Sequence, residues 1–384
     1  MKSGFRWHPE ARMFDATGPV PPTVQGGGVI DPLPSGQALA RALAVQGAAF
    51  RIGGVGGLDA GQGAFETLTS GSSGQPRRIV RSVQSWTDSF AVNAAAFGIG
   101  PGCCVAVLGQ LVHSLALYGA LEAAHLGAEL HLLDSLRPDR QRAALAARRV
   151  GVLYATPAQL RLLLEAGGPE LPDLRLVLVG GSKLDRRLRA GLAAMTEAEV
   201  REFYGAAEAS FITLAGPDTP EESVGRAYLG VEILVRGGTI WVKSPYLFMG
   251  YAGEDKGSAV WDQGWLSVGE MGRLEGGFLY LSGRAGRMVT VADQNVFPEE
   301  IEAFIAGLPG VDRVAVLPRA DALRGRVLVA VVMGDGAQEA AILRACRAHL
   351  GPLKAPRAVI WRGDWPVLAS GKTDLRALEA ALWR

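Results

Sequence analysis

The sequence predicts an α/β protein in two unequal parts. Residues 1–286 read as a large N-terminal domain of layered parallel sheets and helices with a β-rich subdomain, and residues 287–384 as a small α+β C-terminal domain. Three observations predict this. Apolar runs of strand length alternate with helical spacing from Phe65 to Met195, the pattern of parallel βαβ units. After Pro217, short strand-like runs follow one another on tight turns, which reads as β-rich. From Pro298 onward strands and helices alternate again within a segment of normal small-domain size. A chain of 384 residues is also longer than one hydrophobic core usually serves.

Composition narrows the function classes. Hydrophobic residues make up 48% and charged residues 20%, an ordinary globular balance. A net charge of +1 gives no basic field for duplex nucleic acid or an anionic membrane, so neither is expected as a partner. Cys103 and Cys104 are adjacent and Cys346 is remote, so no metal-ligand spacing is seen and a reducing, cytoplasmic compartment is expected. The opening residues lack the apolar core of a secretory signal. Cys103 to Leu121 carries no formal charge, but Gly109, Gln110, His113 and Gly119 divide it into a buried strand and a buried helix rather than a membrane span.

Taken in order, residues 1–34 are rich in Pro and Gly and read as irregular. Ser35 to Phe50 has helical spacing at Leu39, Leu43 and Val45, with Ser35 as N-cap. The Gly-rich piece Gly53 to Gly63 leads to a strand at Phe65–Leu68. Trp86–Phe97 follows as a helix, then strands at Val105–Leu108, Leu130–Leu133, Val152–Ala155 and Leu176–Val179. Helices are expected at Val112–Leu126, Arg140–Arg149, Pro157–Glu165 and Asp185–Met195. Val231–Val235, Thr239–Lys243 and Phe278–Leu281 are the strands of the β-rich piece. Pro298 opens a helix with Glu299 and Glu300 in its first turn, where the macrodipole favours acids. Strands at Val311–Leu317, Val327–Val332 and Ala358–Trp361 and helices at Gln338–His349 and Thr373–Leu382 complete the chain.

Five stretches carry chemistry. Thr69, Ser70, Gly71, Ser72, Ser73 and Gly74 precede Gln75-Pro76-Arg77-Arg78, joining glycines, hydroxyls and guanidinium groups in one loop. Backbone N–H groups in such a turn make an anion-binding concavity, although the loop is not of the Walker type. A solvated Ser/Gly linker is the plain alternative. Gly180, Gly181 and Ser182 end an apolar strand, where ligands bind in α/β sheets. Tyr204 and Glu208 flank Gly205 and Ala207 in a glycine turn, an aromatic plane beside a carboxylate that could hold Mg2+. Glu270 and Arg284 could meet the hydroxyls of a sugar, or form only a surface pair. Lys372 lies in a Ser-Gly loop and offers a compact mobile charge.

In this order the stretches resemble the acyl-adenylate-forming, or AMP-binding, superfamily of acyl-CoA synthetases, carrier-protein adenylation domains and luciferases. The loop from Thr69 looks like its T-S-G-[ST]-[ST]-G-x-P-K, Tyr204–Glu208 like its Y-G-x-T-E, and Gly283-Arg284 like its G-R. Asn295-Val296-Phe297-Pro298-Glu299-Glu300-Ile301-Glu302 resembles N-V-x-P-x-E-I-E, and Gly371-Lys372 its C-terminal G-K. The phosphate loop begins so early that the N-terminal subdomain is expected to be shortened, as in short ligases resembling the o-succinylbenzoate–CoA type.

The resemblance implies ATP-dependent activation of a small-molecule carboxylic acid to an acyl-adenylate, then transfer to a thiol. The thiol belongs to CoA or to the phosphopantetheine arm of an acyl carrier protein. Thr69–Gly74 would hold phosphates, Glu208 Mg2+, Glu270 and Arg284 the ribose. Gly180–Ser182 with Tyr204 would frame adenine, and Lys372 would reach the α-phosphate and the acyl carboxylate. His113 stands where the family has a gate beside the acyl pocket. Arg287 stands at the hinge about which a mobile C-terminal domain swings. The departures are Arg77 for Lys, Ala207 for Thr, Glu270 for Asp, and Ala292-Asp293-Gln294 where a glycine pair is usual. They leave a catalytically silent nucleotide- or acyl-binding protein as the alternative.

Overall fold

A computed structural model describes residues 4–44, 47–69, 76–253, 257–291, 294–321, 325–334, 339–368 and 372–383. Its centre is a run of parallel strands in the order Glu199–Ala206, Leu176–Val179, Val152–Ala155, Cys104–Val107, Glu129–Leu132 and Arg12–Asp15. The central strands Leu176–Val179, Val152–Ala155 and Cys104–Val107 are apolar because both faces are covered. Val105, Val107, Leu130 and Leu132 pack into one core, and Ala106, Leu153, Val177 and Val179 into a second on the opposite face. Pairing turns antiparallel at Ser210–Leu214, and the sheet runs on into the β-rich piece through Phe278–Arg284 and Glu270–Glu275.

A second sheet holds Gly28–Ile30, Phe50–Ile52, Ala64–Leu68 and Arg78–Ser82, edged by Gly250–Tyr251. The Arg51–Glu66 pair, with both side chains 0% exposed, lies under the Gly-rich loop at 2.5 Å. Arg51 also donates to the carbonyls of Gly53, Gly56 and Gly57, and Glu66 accepts from the Asp59 amide. A buried ion pair with its remaining hydrogen bonds filled is the arrangement that escapes the desolvation penalty. It fixes the Gly-rich loop, where Gly54 lies against Leu68.

The C-terminal part has its own core around Val296, Ile301, Val316, Ala330 and Cys346. Its sheet runs Val311–Asp321, Gly325–Gly334 and Ala358–Trp361, covered by helices Pro298–Ala306 and Glu339–Lys354. It meets the larger part through Arg284, whose N–H donates to Glu299, and through an exposed Arg187–Asp312 pair at 3.1 Å. Among the described residues, no helix is long and apolar enough to cross a membrane.

Several expectations need correction. The N-terminal segment is not irregular: Arg12–Asp15, Gly18–Val20 and Gly28–Ile30 are strands. They are too short for local pattern to show, and distant partners hold them, as when Met13 pairs with Leu130. The first helix ends at Leu43, and Phe50 begins a strand. Pro34 takes the N-cap position, while Ser35 is inside the helix and donates to Asp134 at 2.8 Å. Gly205 lies within strand Glu199–Ala206 and not in a turn. A Cβ there would fall 2.0 Å from the Ser210 carbonyl oxygen, so close backbone approach demands glycine.

Glu122 is fully buried on helix Ser114–Leu126, accepting from Tyr154 Oη and, at 2.8 Å, from Asn93 Nδ2. Burial raises its pKa from 4.5 to about 8. Between these values the folded chain keeps a proton that the unfolded chain releases, so stability is full below the unfolded pKa and falls as pH rises through the folded one. Each pKa unit is worth about 1.4 kcal/mol, so the loss is a few kcal/mol. Glu122→Gln is expected to flatten this slope, which urea midpoints measured on either side of neutrality will check.

Candidate functional site

The site forms where the parallel strands end. Gly109, Thr156 and Gly180 follow the strands Cys104–Val107, Val152–Ala155 and Leu176–Val179 and line one cleft of about 2390 Å³. Open α/β sheets place ligands at these C-terminal ends, because the loops there converge while the helices cover the faces. Residues of the C-terminal part, including Lys372, line the opposite side. Every described residue singled out from the sequence faces this cleft: Thr69, His113, Gly180, Gly181, Ser182, Tyr204, Gly205, Ala207, Glu208, Glu270, Arg284, Arg287 and Lys372. Ser70, Gly71, Ser72, Ser73 and Gly74 lie outside the described residues, as do Ala292, Asp293 and Gly371.

Thr69 and Arg77, which flank the Ser/Gly-rich segment, are joined by two hydrogen bonds. The Thr69 N–H donates to the Arg77 carbonyl at 2.9 Å, and the Arg77 N–H donates to Thr69 Oγ1 at 3.2 Å. One strand turn away, Ser114 Oγ meets Thr67 Oγ1 at 2.8 Å and donates to the Leu68 carbonyl at 3.2 Å. These bonds hold the N-terminus of helix Ser114–Leu126, and His113 at its N-cap, beside Thr67 and Leu68. Burial lowers the His113 pKa, which favours the neutral imidazole.

Gly180 and Gly181 are glycines for separate reasons. A Cβ on Gly180 would lie 2.2 Å from the Phe203 ring, and Gly181 has φ +103°. Tyr204 comes up on the neighbouring strand. Its hydroxyl is buried and has no hydrogen-bond partner, although it lines the cleft. A buried polar atom left unpaired costs free energy, so this hydroxyl is a ready contact for a ligand. Its pKa stands well above the ordinary value, through burial first and then through Glu270.

Glu208 follows in the turn after Ala206. Its Oε1 accepts from the Tyr251 hydroxyl at 2.9 Å, and its backbone carbonyl accepts from the Phe248 N–H at 2.8 Å. Tyr251 also lies under Arg77, whose guanidinium sits 6.0 Å from the ring centroid. Sequence reasoning missed Tyr251 altogether, because only the two-residue pairing of Gly250–Tyr251 with Arg78–Ser82 brings it here. It also missed Arg81, whose fully buried guanidinium donates to the Ala207 carbonyl and, at 2.7 Å, to Ser210 Oγ. Both flanks of the Glu208 turn therefore hang on one side chain. Burial lowers the Arg81 pKa to about 9, against the opposing pull of Glu208.

Glu270 and Arg284 face each other across the hairpin of Glu270–Glu275 with Phe278–Arg284, and Arg284 Nε donates to Glu270 at 2.9 Å. Lys372 lies between the bridge partners Val367 and Thr373, where its carbonyl accepts from the Leu368 N–H at 2.8 Å. Its side chain is exposed to the cleft yet surrounded by protein. Desolvation lowers its pKa, Arg284 adds to this, and Glu270 and Glu208 oppose it. An ammonium that feels both carboxylates and the guanidinium is thereby poised over the same space.

Arg287 ends the short helical turn Ala285–Arg287. It donates to Glu302 at 3.0 and 2.7 Å and to the Val316 carbonyl at 3.1 Å. All three contacts belong to the C-terminal part, so the side chain is fixed to that part alone. Gly286 precedes it with open space where a Cβ would stand.

One cluster lies elsewhere. Cys104, Glu129 and His131 bring three ligand atoms within 4.8 Å of one another, which linear spacing did not reveal. Arg12 pairs with Glu129 at 2.6 Å, and Arg148 donates to His131 Nδ1 at 3.0 Å. Two guanidinium groups already complement the carboxylate and imidazole, and burial pushes the Cys104 thiol up to about 12. The cluster is complete as a hydrogen-bonded unit and repels a cation.

Residues 36–252 match the family described as AMP-binding enzyme, and residues 300–372 match the AMP-binding enzyme C-terminal domain. The chain is 33% identical over 322 residues to the uncharacterized acyl–CoA ligase YhfT of Bacillus subtilis, covering 79% of this chain and 66% of the relative. It is 25% identical over 320 residues to 2-succinylbenzoate–CoA ligase of Listeria innocua, covering 81% and 68%. The chain thus spans about two thirds of the length of these curated relatives. The structure of amide bond synthetase McbA from Marinactinospora thermotolerans superposes with a TM-score of 0.80 at 22% identity, covering 96% of both chains, a likeness of fold.

Proposed function

Because the chain belongs to the AMP-binding enzyme family, we propose that it is an ATP-dependent acid–thiol ligase. It forms an acyl-adenylate from a carboxylic acid and passes the acyl group to CoA. The observation that carries this reading is the convergence of Lys372, the Glu270–Arg284 pair, the unpartnered Tyr204 hydroxyl and Glu208 on one cleft.

In the first half-reaction a carboxylate oxygen bonds to the α-phosphorus of ATP, the bond to the bridging oxygen breaks, and pyrophosphate leaves with the electron pair. Negative charge gathers around phosphorus, so positioning and charge stabilisation dominate. Lys372 supplies a mobile positive charge there, and Arg77 supplies one at the neck of the phosphate loop. Glu270 and Arg284 hold the ribose, while Tyr204 with Gly180–Ser182 frames the base. Glu208 fits Mg2+, since carboxylate oxygen is its preferred donor and Tyr251 fixes the carboxylate's orientation. In the second half-reaction the thiol sulfur attacks the acyl carbon and AMP leaves. A carrier protein bearing the same thiol arm is the alternative acceptor. Three free cysteines suit a reducing, cytoplasmic setting.

Pyrophosphate–ATP exchange across a panel of carboxylic acids tests the first step. Exchange with no acid would leave a silent nucleotide-binding protein as the better reading.

Ala207 gives a smaller test. It lacks the hydroxyl that family members aim at phosphate, and a hydrogen bond to a charged group contributes about 1.5–3 kcal/mol. The nearest alternative, Ser210 Oγ, already accepts from Arg81 at 2.7 Å and Trp86 at 3.0 Å. Ala207→Thr is expected to raise the exchange rate by up to about tenfold. An unchanged rate would show that another donor meets the phosphate.

A further inference from the structure

Beyond His113 the cleft runs down onto a floor of aromatic rings: Trp86, Tyr118, Tyr154 and Phe211, each no more than 4% exposed. The rings form a continuous surface. Trp86 meets Tyr118 at 5.1 Å, and Tyr118 meets Phe211 at 5.2 Å, both edge to face. The polar ends of this floor are tied down. Tyr118 Oη lies 2.7 Å from Ser89 Oγ and accepts from Asn93 Nδ2 at 3.2 Å. Tyr154 Oη donates to Glu122, and Trp86 Nε1 donates to Ser210 Oγ at 3.0 Å.

Ser89, Asn93 and Glu122 do not line the cleft, so the two tyrosines present their rings to it and turn their hydroxyls away. Swinging Trp86, Tyr118 or Tyr154 aside would leave buried donors and acceptors unpaired, which is costly for each group, and Phe211 is packed against Tyr118, Phe203 and Tyr228. The floor is therefore shut. A long alkyl chain needs a tunnel or a groove that opens, and among the described residues this ring floor offers neither.

The sides of the same space are small. Gly109 and Ala116 face each other, since a Cβ on Gly109 would lie 3.4 Å from the Ala116 Cβ. The same Cβ would come within 2.8 Å of the Gln159 amide nitrogen, so any side chain at Gly109 would have to displace the Gln159 amide. Gly205 and Ala206 border the space from the strand. Rings below and hydrogen-sized or methyl-sized side chains at the flanks make a flat slot. Aromatic rings packed edge to face or offset gain beyond simple burial.

We infer that the acid activated here is compact and planar, an aryl or arylacrylic acid, and that saturated long-chain acids are excluded by the locked ring floor. This rests on the acid-activating reading of the cleft, so the test separates the two. Benzoate and cinnamate are compared with decanoate and dodecanoate, below their micellar concentrations, in calorimetric binding without ATP and in pyrophosphate–ATP exchange. Ala116→Leu and Ala206→Val narrow the slot from opposite sides.

The aryl acids are expected to bind at least tenfold more tightly than the saturated chains, and either narrowing substitution to remove that preference while nucleotide binding is kept. Aryl binding with these properties but no exchange would support the slot and overturn acid activation. Equal or tighter binding of the saturated chains, or no binding by any acid, would overturn the inference. So would aryl binding unaffected by both substitutions in folded protein.

Discussion

Lys372→Ala is expected to lower acyl-adenylate formation by two to three decades, about what removal of a single preorganised charge donor costs an acyl-transfer site. The position of the ammonium argues for an effect of this size. Lys372 is coupled at once to Glu270, Glu208 and Arg284, so it stands over the space these three define. Arg284 is the other cation over this space, and its Nε donates to Glu270 at 2.9 Å. Thioester formation from a pre-made acyl-adenylate is expected to stay near the wild-type rate, since in that step the nucleophile attacks the acyl carbon and no five-coordinate phosphorus forms. Quenched-flow measurement of acyl-AMP, paired with AMP release on adding CoA to trapped acyl-AMP, separates the two. Equal losses in both would remove Lys372 from the assigned role.

Arg287→Pro is expected to collapse thiolation while adenylation survives in part. We propose that residues 287–384 move as a unit against the rest, with the pivot at Gly286-Arg287. Proline fixes φ near −65° and deletes the backbone donor, so it stiffens that pivot. It also deletes the guanidinium that binds Glu302 and the Val316 carbonyl. Losing this half-buried ion pair carries a stability cost of its own, separate from any effect on the backbone. Arg287→Met provides the control, because it loses the same contacts and keeps a free φ. Thiolation retained in the methionine variant and lost in the proline variant identifies backbone rotation as the cause. Loss in both would assign the effect to the ion pair, and wild-type behaviour in both would move the pivot elsewhere.

Legibility in the sequence followed how local each feature is. Val152–Ala155 and Leu176–Val179 have the expected bounds because strands buried on both faces are uninterrupted apolar runs between turn residues. Helix Pro157–Glu165 has its expected bounds because Thr156 and Gln159 complete a capping box around Pro157. At the site, motif residues that follow one another in sequence were visible. Tyr251 and Arg81 were not, because their roles depend on pairing between residues far apart in the chain. Glu122 looked like an ordinary helix acid, and only its burial beside Tyr154 shows otherwise. The N-terminal strands escaped notice for the same reason, since Arg12–Asp15 bonds to Glu129–Leu132 and to Gly18–Val20, and Gly28–Ile30 bonds to Phe50–Ile52.

The edge pairing of Gly250 with Val80 and Tyr251 with Ile79 governs more than the orientation of Glu208. During synthesis, Arg78–Ser82 leaves the ribosome long before its partner exists. At roughly 5–20 residues per second the wait is on the order of ten seconds. Through that interval the strand carries an open edge, a template for pairing with other chains. Closing so long a loop is also entropically slow, whereas the C-terminal strands Val311–Asp321 and Gly325–Gly334 pair as a local hairpin. The order of maturation is therefore the reverse of a simple N-to-C progression within the larger part. Its first sheet is finished only when a two-residue segment from two thirds of the way along the chain arrives to seal it, and that same event delivers Tyr251 to Glu208.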